Sequence, residues 1–442
     1  MQLSTYVNKK FYVFCAMIRL KAVILVSIVL ICSVMQVKAK EVKPTLLVYG
    51  DGIEAFAAAL QAVRSNVPTI WVSTKSTYLE DLTKRRISVT SNSRLLGGIW
   101  KDILIETGQL KGKDDSLLVA LQRDMDPQLL RNAIERMLSK ERNLTLIQTA
   151  GITKVVDGKK DVTVTLSNKR KYKVRAMVDA TEGGDTRAFV VSTDVFTKPA
   201  RVLSVAEIEA AKRRTLVSIG EYADVVYGYT WSDLFARRVS NIFYTSGLVQ
   251  VGLDDNSLPL RANLGQALGA AAGYCSFFKT TADKVDMRKL QTELLTFDAR
   301  LLPWLDVSSS DVHFKSIQKI YLVSLLPAGE EQNPLVFSGE TPVNIDRVKE
   351  VFNSLYSRSQ LWFVDKKDGV FELKELLALI KQVSFRGDEL DREVEKEWSR
   401  KLKFEGDYDP NHVVSRYEFA VLVDRYADPY AKAVDVEGKI LR

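Results

Sequence analysis

Gly50-Asp51-Gly52-Ile53-Glu54-Ala55 is the stretch of this 442-residue chain whose residue types and spacing could do chemistry. The first glycine allows a tight turn, and the second lets backbone come close to a pyrophosphate. A small third residue lets the following helix pack against a strand. Amides at the start of such a helix attract anions. The pattern carries meaning only between a strand and a helix. Both are expected here: residues 45–49 (TLLVY) and 69–73 (TIWVS) read as buried strands, and 53–64 (IEAFAAALQAVR) as an Ala-rich helix. Together they form a β–turn–α–β unit that opens a doubly wound sheet. One expected group is missing. Such units carry an acid at the end of the second strand for the ribose hydroxyls, and Ser73 stands there. A Rossmann fold that has lost its nucleotide is the competing reading.

The surrounding elements follow from pattern. Pro127 opens an amphipathic helix over 127–139. Residues 143–149, 152–156, 161–166 and 171–179 read as strands, with Asp157-Gly158 and Ser167-Asn168 where hairpin turns are needed. Residues 241–245 read as a short strand and 263–280 as an Ala/Gly-rich helix. From about 305 the chain turns to helices without long β runs, and a domain boundary is placed there. No repeat with a clear fixed period is evident. The fold class is α/β: a Rossmann-like domain with inserted β-rich segments, then a mainly helical C-terminal domain.

Composition narrows the function. At 46% hydrophobic and 27% charged residues the chain is globular rather than disordered. Three cysteines exclude a disulfide scaffold or a Cys-rich zinc module. The two histidines, His313 and His412, leave no His-based metal or triad chemistry to the first 300 residues. Residues 1–39 hold Lys9, Lys10, Arg19, Lys21 and Lys38 and no acid. Arg19 and Lys21 precede the apolar run Ala22 to Cys32, and Val37-Lys38-Ala39 ends it like a cleavage site. That is the layout of an export signal, with an uncleaved anchor as the alternative. Without it the net charge falls from +8 to +3, too little for a nucleic-acid footprint. The expected partner is a small molecule, and the expected location is periplasmic or secreted.

Several motifs occur in one order along residues 44–296. After the Gly50/Gly52/Ala55 turn come Leu96-Gly97-Gly98-Ile99-Trp100, the helix from Pro127 to Leu138, and Ile152-Thr153-Lys154-Val155. Val178-Asp179-Ala180-Thr181-Glu182-Gly183-Gly184-Asp185 and Leu264-Gly265-Gln266-Ala267-Leu268-Gly269 follow. In these the chain resembles the FAD-dependent oxidoreductases of the glutathione-reductase structural type, especially exported bacterial members. The resemblance implies FAD as cofactor. It places Gly50, Gly52, Ala55 and Ser73 at the pyrophosphate and ribose, and Gly97 and Gly98 near the isoalloxazine. Thr153 falls on the strand covering adenine, and Ala180 and Thr181 lie against the cofactor. Gly265 and Gln266 open the helix aimed at the flavin, with Arg261, at a basic position of the family, just before it. Two departures stand out: Ser73, and Ser246-Gly247 where the family has Gly-Arg or Gly-Asp.

Two functional readings stay open. The first is an exported oxidoreductase passing hydride or electrons between FAD and a small organic, carbohydrate-like substrate. The second is a catalytically inactive flavoprotein fold serving as a binding or surface module. No catalytic residue is assigned. Tyr222, Tyr227, Tyr229, Trp231, Arg237 and Arg238 lie in the span that would wall the substrate. There is no Cys-x-x-Cys and no second Gly-x-Gly-x-x-Gly. Residues 311–327 and 412–427 resemble S-layer-homology-type helical units, which raises association with the cell envelope. Asp407, Asp409, Asn411 and Glu418 imitate a calcium loop, but His412 replaces its glycine, so no metal is expected. The expected domains are 1–39 (signal peptide), 40–304 (oxidoreductase-like) and 305–442 (helical).

Overall fold

Four apolar residues, Leu46–Tyr49, form β1 and are buried on both faces, as a central parallel strand requires. The computed structural model describes residues 43–441 except 92–93, 111–113, 159, 191–201, 235–240, 248–249, 328–332 and 365–367. The expected export signal over 1–39, and Arg237 and Arg238, lie outside the described residues.

From β1 the chain passes into helix α1 (Ile53–Arg64) and strand β2 (Thr69–Val72). Helices α2 (Gly98–Gly108) and α3 (Pro127–Ser139) and strand β3 (Leu144–Ile147) follow. Strands β4 (Ile152–Asp157), β5 (Val162–Leu166) and β6 (Lys171–Val174) make an antiparallel sheet. β7 (Ala176–Asp179) returns beside β1. A second antiparallel sheet holds β8 (Leu203–Ser204), β9 (Leu216–Tyr222) and β10 (Val225–Thr230). β11 (Ile242–Tyr244) then leads to the long helix α4 (Leu258–Phe278) and to α5 (Met287–Thr296). The main sheet is parallel throughout, in the order β11-β7-β1-β2-β3.

Two sequence expectations are revised. The run 171–179 is not one strand. Its first half alternates in burial and pairs with β5, whereas its second half is fully buried and pairs with β1. The chain changes sheet at Arg175, whose amide bonds Thr45 O at 2.8 Å. The β9–β10 hairpin was not legible, because Ala223-Asp224 makes its turn with positive φ at both residues. That is the geometry of a tight hairpin turn without its usual Asn-Gly signal.

Helix α4 lies against α1 with almost no side chain between them. A Cβ at Gly265 would stand 2.3 Å from Glu54 O, and one at Gly269 2.3 Å from Ala58 O. The glycines, four apart on one face, let the two backbones touch. The amide end of Gln266 then ties three elements together: it accepts from Ile99 N, and donates to Gln61 Oε1 at 2.9 Å and to Phe297 O at 3.2 Å.

The C-terminal region holds α6 (Phe314–Leu322), α7 (Ile345–Leu355), α8 (Leu373–Ser384) and α9 (Arg416–Tyr426). An extended residue leads into each of the last three, and these residues form a closed triangle. Phe371 N bonds Val343 O at 3.1 Å, Val414 N bonds Phe371 O at 2.9 Å, and Val343 N bonds Val414 O at 3.3 Å. All three side chains are buried. This threefold device was missed in the sequence because the spacing between its units is unequal. The apolar core runs from β1 through the region after 305 without a break, and residues 44–442 form one compact unit.

The helix contact generates a test. Gly269→Val drives a side chain into the α1 backbone and should destabilise the protein by about 3 kcal/mol. Urea unfolding followed by circular dichroism measures it, and an unchanged midpoint would contradict the contact.

Candidate functional site

The site lies at the carboxyl ends of β1, β2 and β7, where ligands of open α/β sheets bind. Gly50 adopts φ +144°, and a Cβ there would sit 2.7 Å from Ala180 O. Ala180 N in turn bonds Tyr49 O at 2.7 Å. The turn and the strand end 180–181 therefore meet backbone to backbone, a cradle that any side chain at position 50 would close. Trp71 Nε1 bonds Gly50 O at 2.9 Å and pins the turn from below. Gly52 caps α1 with no side-chain partner for the helix amides, and Ala55 is fully buried.

The acid missing at the end of β2 is replaced from the turn itself. Asp51 reaches across and accepts from Ser73 Oγ at 2.5 Å, from Thr74 N at 2.9 Å and from Thr74 Oγ1. A carboxylate thus stands beside Ser73 although Ser73 is not an acid.

A second acid stands on the helix start. Glu54 and Arg261 are each 7% exposed and form a two-point ion pair, Arg261 Nε to Oε1 at 2.5 Å and Nη2 to Oε2 at 3.0 Å. Glu54 Oε2 is 2.8 Å and Arg261 Nη2 3.3 Å from where a Cβ of Gly52 would be. That is the space a pyrophosphate uses when the second glycine is kept bare. The pair fills it with the movable ends of two side chains.

Asp179, fully buried at the end of β7, organises the next turn. It accepts from Thr181 N (3.0 Å), Thr181 Oγ1 (2.6 Å), Thr186 N (2.9 Å) and Thr186 Oγ1 (2.6 Å). Burial, then the nearby Asp179 and Asp51 charges, raise the Asp185 carboxyl above its usual value. Burial is also the main reason the Tyr49 hydroxyl is raised, with Asp185, Asp179 and Asp51 adding to it.

Gly247, at φ +79°, faces Arg187, whose Nη1 would lie 2.8 Å from a Cβ there. Arg187 donates to Ser246 O and lies over the Tyr244 ring at 5.0 Å. The sequence offered only Ser246-Gly247 at this place, but a guanidinium arrives from the neighbouring turn.

The structure thus gathers Gly50, Gly52, Ala55, Ser73, Ala180, Thr181 and Arg261 around one turn, with Gly247 at the adjoining strand end. Gly97, Gly98 and Gln266 form a separate knot. A Cβ at Gly98 would be 1.9 Å from Gln266 Oε1, and one at Gly97 2.6 Å from Arg300 Cβ. Gly265 is turned to the α1 backbone. Thr153 lies on β4 in the antiparallel sheet, and its hydroxyl bonds Thr165 O at 3.2 Å. Sequence reasoning missed Asp51, Glu54 and Arg187. A signal for the first two was present, since a phosphate turn with two acids in six residues is unusual in charge. Among the expected substrate-wall residues, Tyr229 and Trp231 are buried and Tyr222 is exposed.

The remaining candidates are structural. Glu418 accepts from Ser415 N at 2.8 Å and meets His412 Nε2 at 2.9 Å, closing a capping box on α9 rather than a calcium loop. No group of three metal-ligating side chains occurs among the described residues. Cys275 is buried, and burial raises its thiol to about 12, far from a reactive thiolate.

Comparison with known proteins agrees with the turn. Residues 45–190 match the profile of the FAD dependent oxidoreductase family. That match indicates FAD as the cofactor of this domain and supports a flavin redox role. No curated protein matches the chain as a sequence relative. Similar solved structures include the tetracycline destructase Tet(51), at 14% identity and TM-score 0.25, covering 38% of this chain and 44% of that one. The FAD-bound form of OTEMO shares 10% identity at TM-score 0.24, covering 31% and 25%. The bacillithiol disulfide reductase Bdr of Staphylococcus aureus shares 14% at TM-score 0.22, covering 31% and 38%. The chain spans less than half the length of each.

The residues present fit the cofactor at its dinucleotide end. The backbone cradle at Gly50 and Gly52 is intact, only side-chain ends stand in it, and one of them is a guanidinium suited to phosphate. Glu54 is the obstacle. Glu54→Ala should tighten FAD binding about tenfold, close to 1.4 kcal/mol, and Arg261→Ala should weaken it by at least as much. Titration of FAD fluorescence measures both, and equal affinities in all three proteins would contradict this placement. Asp185 sets a pH dependence. Its folded carboxyl is raised, so it takes up a proton as pH falls through that value, and the site loses a negative charge close to Asp179 and Asp51. FAD affinity should rise on acidification, and Asp185→Asn should flatten the rise.

Proposed function

We propose that the chain is an FAD-dependent oxidoreductase that passes hydride or electrons between FAD and a small organic substrate. The observation that carries this reading is the Gly50-x-Gly52 turn, held backbone to backbone against Ala180 at the carboxyl ends of the parallel strands, with the α1 amides and Arg261 beside it. When bound, FAD supplies the redox chemistry, and the protein supplies position and charge. Gly50, Gly52 and Ala180 admit the dinucleotide backbone. Asp51, fixed by Ser73 and Thr74, accepts from ribose hydroxyls. Arg261 turns from Glu54 to the pyrophosphate, and Arg187 adds positive charge at the β11 end. Trp71 and Asp179 hold the two turns in place and touch no substrate.

The second reading, a flavoprotein fold used for binding alone, is favoured by the closed knot at Gly97-Gly98. Gln266 and Arg300 stand where the resemblance puts the isoalloxazine. Of the two, Gln266 presents a side-chain end, whereas Gly97 also faces the Arg300 backbone, with Arg300 N 2.8 Å from a Cβ there. Our proposal includes export, on the basis of residues 1–39, and envelope association through residues 305–442 as a further part.

Anaerobic mixing of the FAD-loaded chain with small sugars, alcohols and amines separates the readings. An oxidoreductase should show bleaching of the visible flavin band with one class, and recovery of colour on adding a dye acceptor. Bound FAD that no class bleaches, with its ring open to iodide quenching, would favour the binding module.

A further inference from the structure

A cavity of about 460 Å³ lies away from the Gly50 turn, between the β8–β10 insert and the C-terminal helical region. Its size falls in the range of small-molecule sites. Val205, Leu326, Pro342 and Val348 give it apolar walls, and Arg213, Arg347 and Arg416 line it, with no acidic side chain among the described lining residues. Trp304 and Tyr321 close its inner side.

Two buried N–H groups of this wall find no acceptor among the described residues. Trp304 is fully buried, yet its Nε1 has no acceptor among the described residues, and Arg213 Nε is buried with none among them either. A buried donor left unmade costs about 1–3 kcal/mol, so two on one cavity wall point to an acceptor brought from outside. Arg416 is 7% exposed and gives its hydrogen bonds to neutral carbonyls, Phe337 O at 2.8 Å and Pro327 O at 2.5 Å. Burial lowers this guanidinium to about 10. Two of the arginines stand on ring faces, Arg213 over Tyr321 at 4.7 Å and Arg416 over Phe337 at 5.2 Å. Trp304 stacks on Phe337, with centroids 4.6 Å apart. The wall therefore combines positive charge, in-plane N–H donors and flat apolar surface.

We propose that this cavity binds a planar, apolar small molecule bearing a carboxylate. The carboxylate meets the Arg213 and Trp304 N–H groups, and the apolar body lies along Val205, Leu326 and Val348. A planar guanidinium suits a planar carboxylate better than a point charge does. This proposal does not depend on FAD binding at the Gly50 turn.

Isothermal titration of the purified chain with naphthoate, naphthamide and inorganic phosphate tests it. Naphthoate should bind at least tenfold more tightly than naphthamide. Arg213→Gln, at a half-exposed residue, should weaken naphthoate at least tenfold. Trp304→Phe keeps the packing and removes only the N–H donor, and it should weaken binding a few-fold. Equal binding of naphthoate and naphthamide, no binding of naphthoate, or an unchanged affinity in Arg213→Gln would overturn the proposal. Phosphate binding as tight as naphthoate would mean a bare anion site and would overturn it as well.

Discussion

The contact between α1 and α4 is the constraint on which the rest of the structure depends. Gly265 and Gly269 remove the side chains that would hold the helices apart, and the two backbones meet at Glu54 and Ala58. Because α4 lies so close, its first turn brings Arg261 over Gly52, and Gln266 reaches Gln61 and Ile99. The same packing that makes the core also decides which charges face the phosphate turn. A wider helix separation would move Arg261 away and leave Glu54 as a buried charge without its partner, a costly arrangement.

Charge balance then governs the site. A dinucleotide turn offers helix amides and a partial positive field. Here Asp51, Glu54, Asp179 and Asp185 crowd the same strand ends, answered by Arg261 and Arg187. Asp51 and Asp179 are spent on holding turns, through Ser73, Thr74, Thr181 and Thr186. Glu54 is different, because it is paired with Arg261. Binding of a doubly charged pyrophosphate means an exchange of partners by Arg261, with Glu54 turned outward. The affinity for FAD is therefore set by a competition inside the protein as well as by contacts to the cofactor.

Much of the fold was legible because its signals are local. The helix over 53–64, the helix opened by Pro127 and the meander strands follow from period, turn residues and proline. The break at Arg175 was hidden because both halves of 171–179 are strand formers, and only burial tells them apart. The β9–β10 turn was hidden because Ala223-Asp224 carries no glycine. In the site, the glycine signal coincides with a close backbone contact at Gly50, and Gly265 and Gln266 lie in the packing of α4 on α1 and α2. Asp51 was invisible as an acid beside Ser73 because it reaches that place through space from the first turn, not along β2. The C-terminal triangle joins residues 343, 371 and 414 across unequal loops, which no fixed period reveals.

The measurement that tests the central claim most directly is the visible absorption spectrum of the purified chain, soaked with FAD and then desalted. The account predicts a retained yellow spectrum in the native protein, and a more fully occupied one in Glu54→Ala. A folded protein that stays colourless in both forms would contradict it, because it would mean that the Gly50 cradle does not hold a dinucleotide even with its competing carboxylate removed.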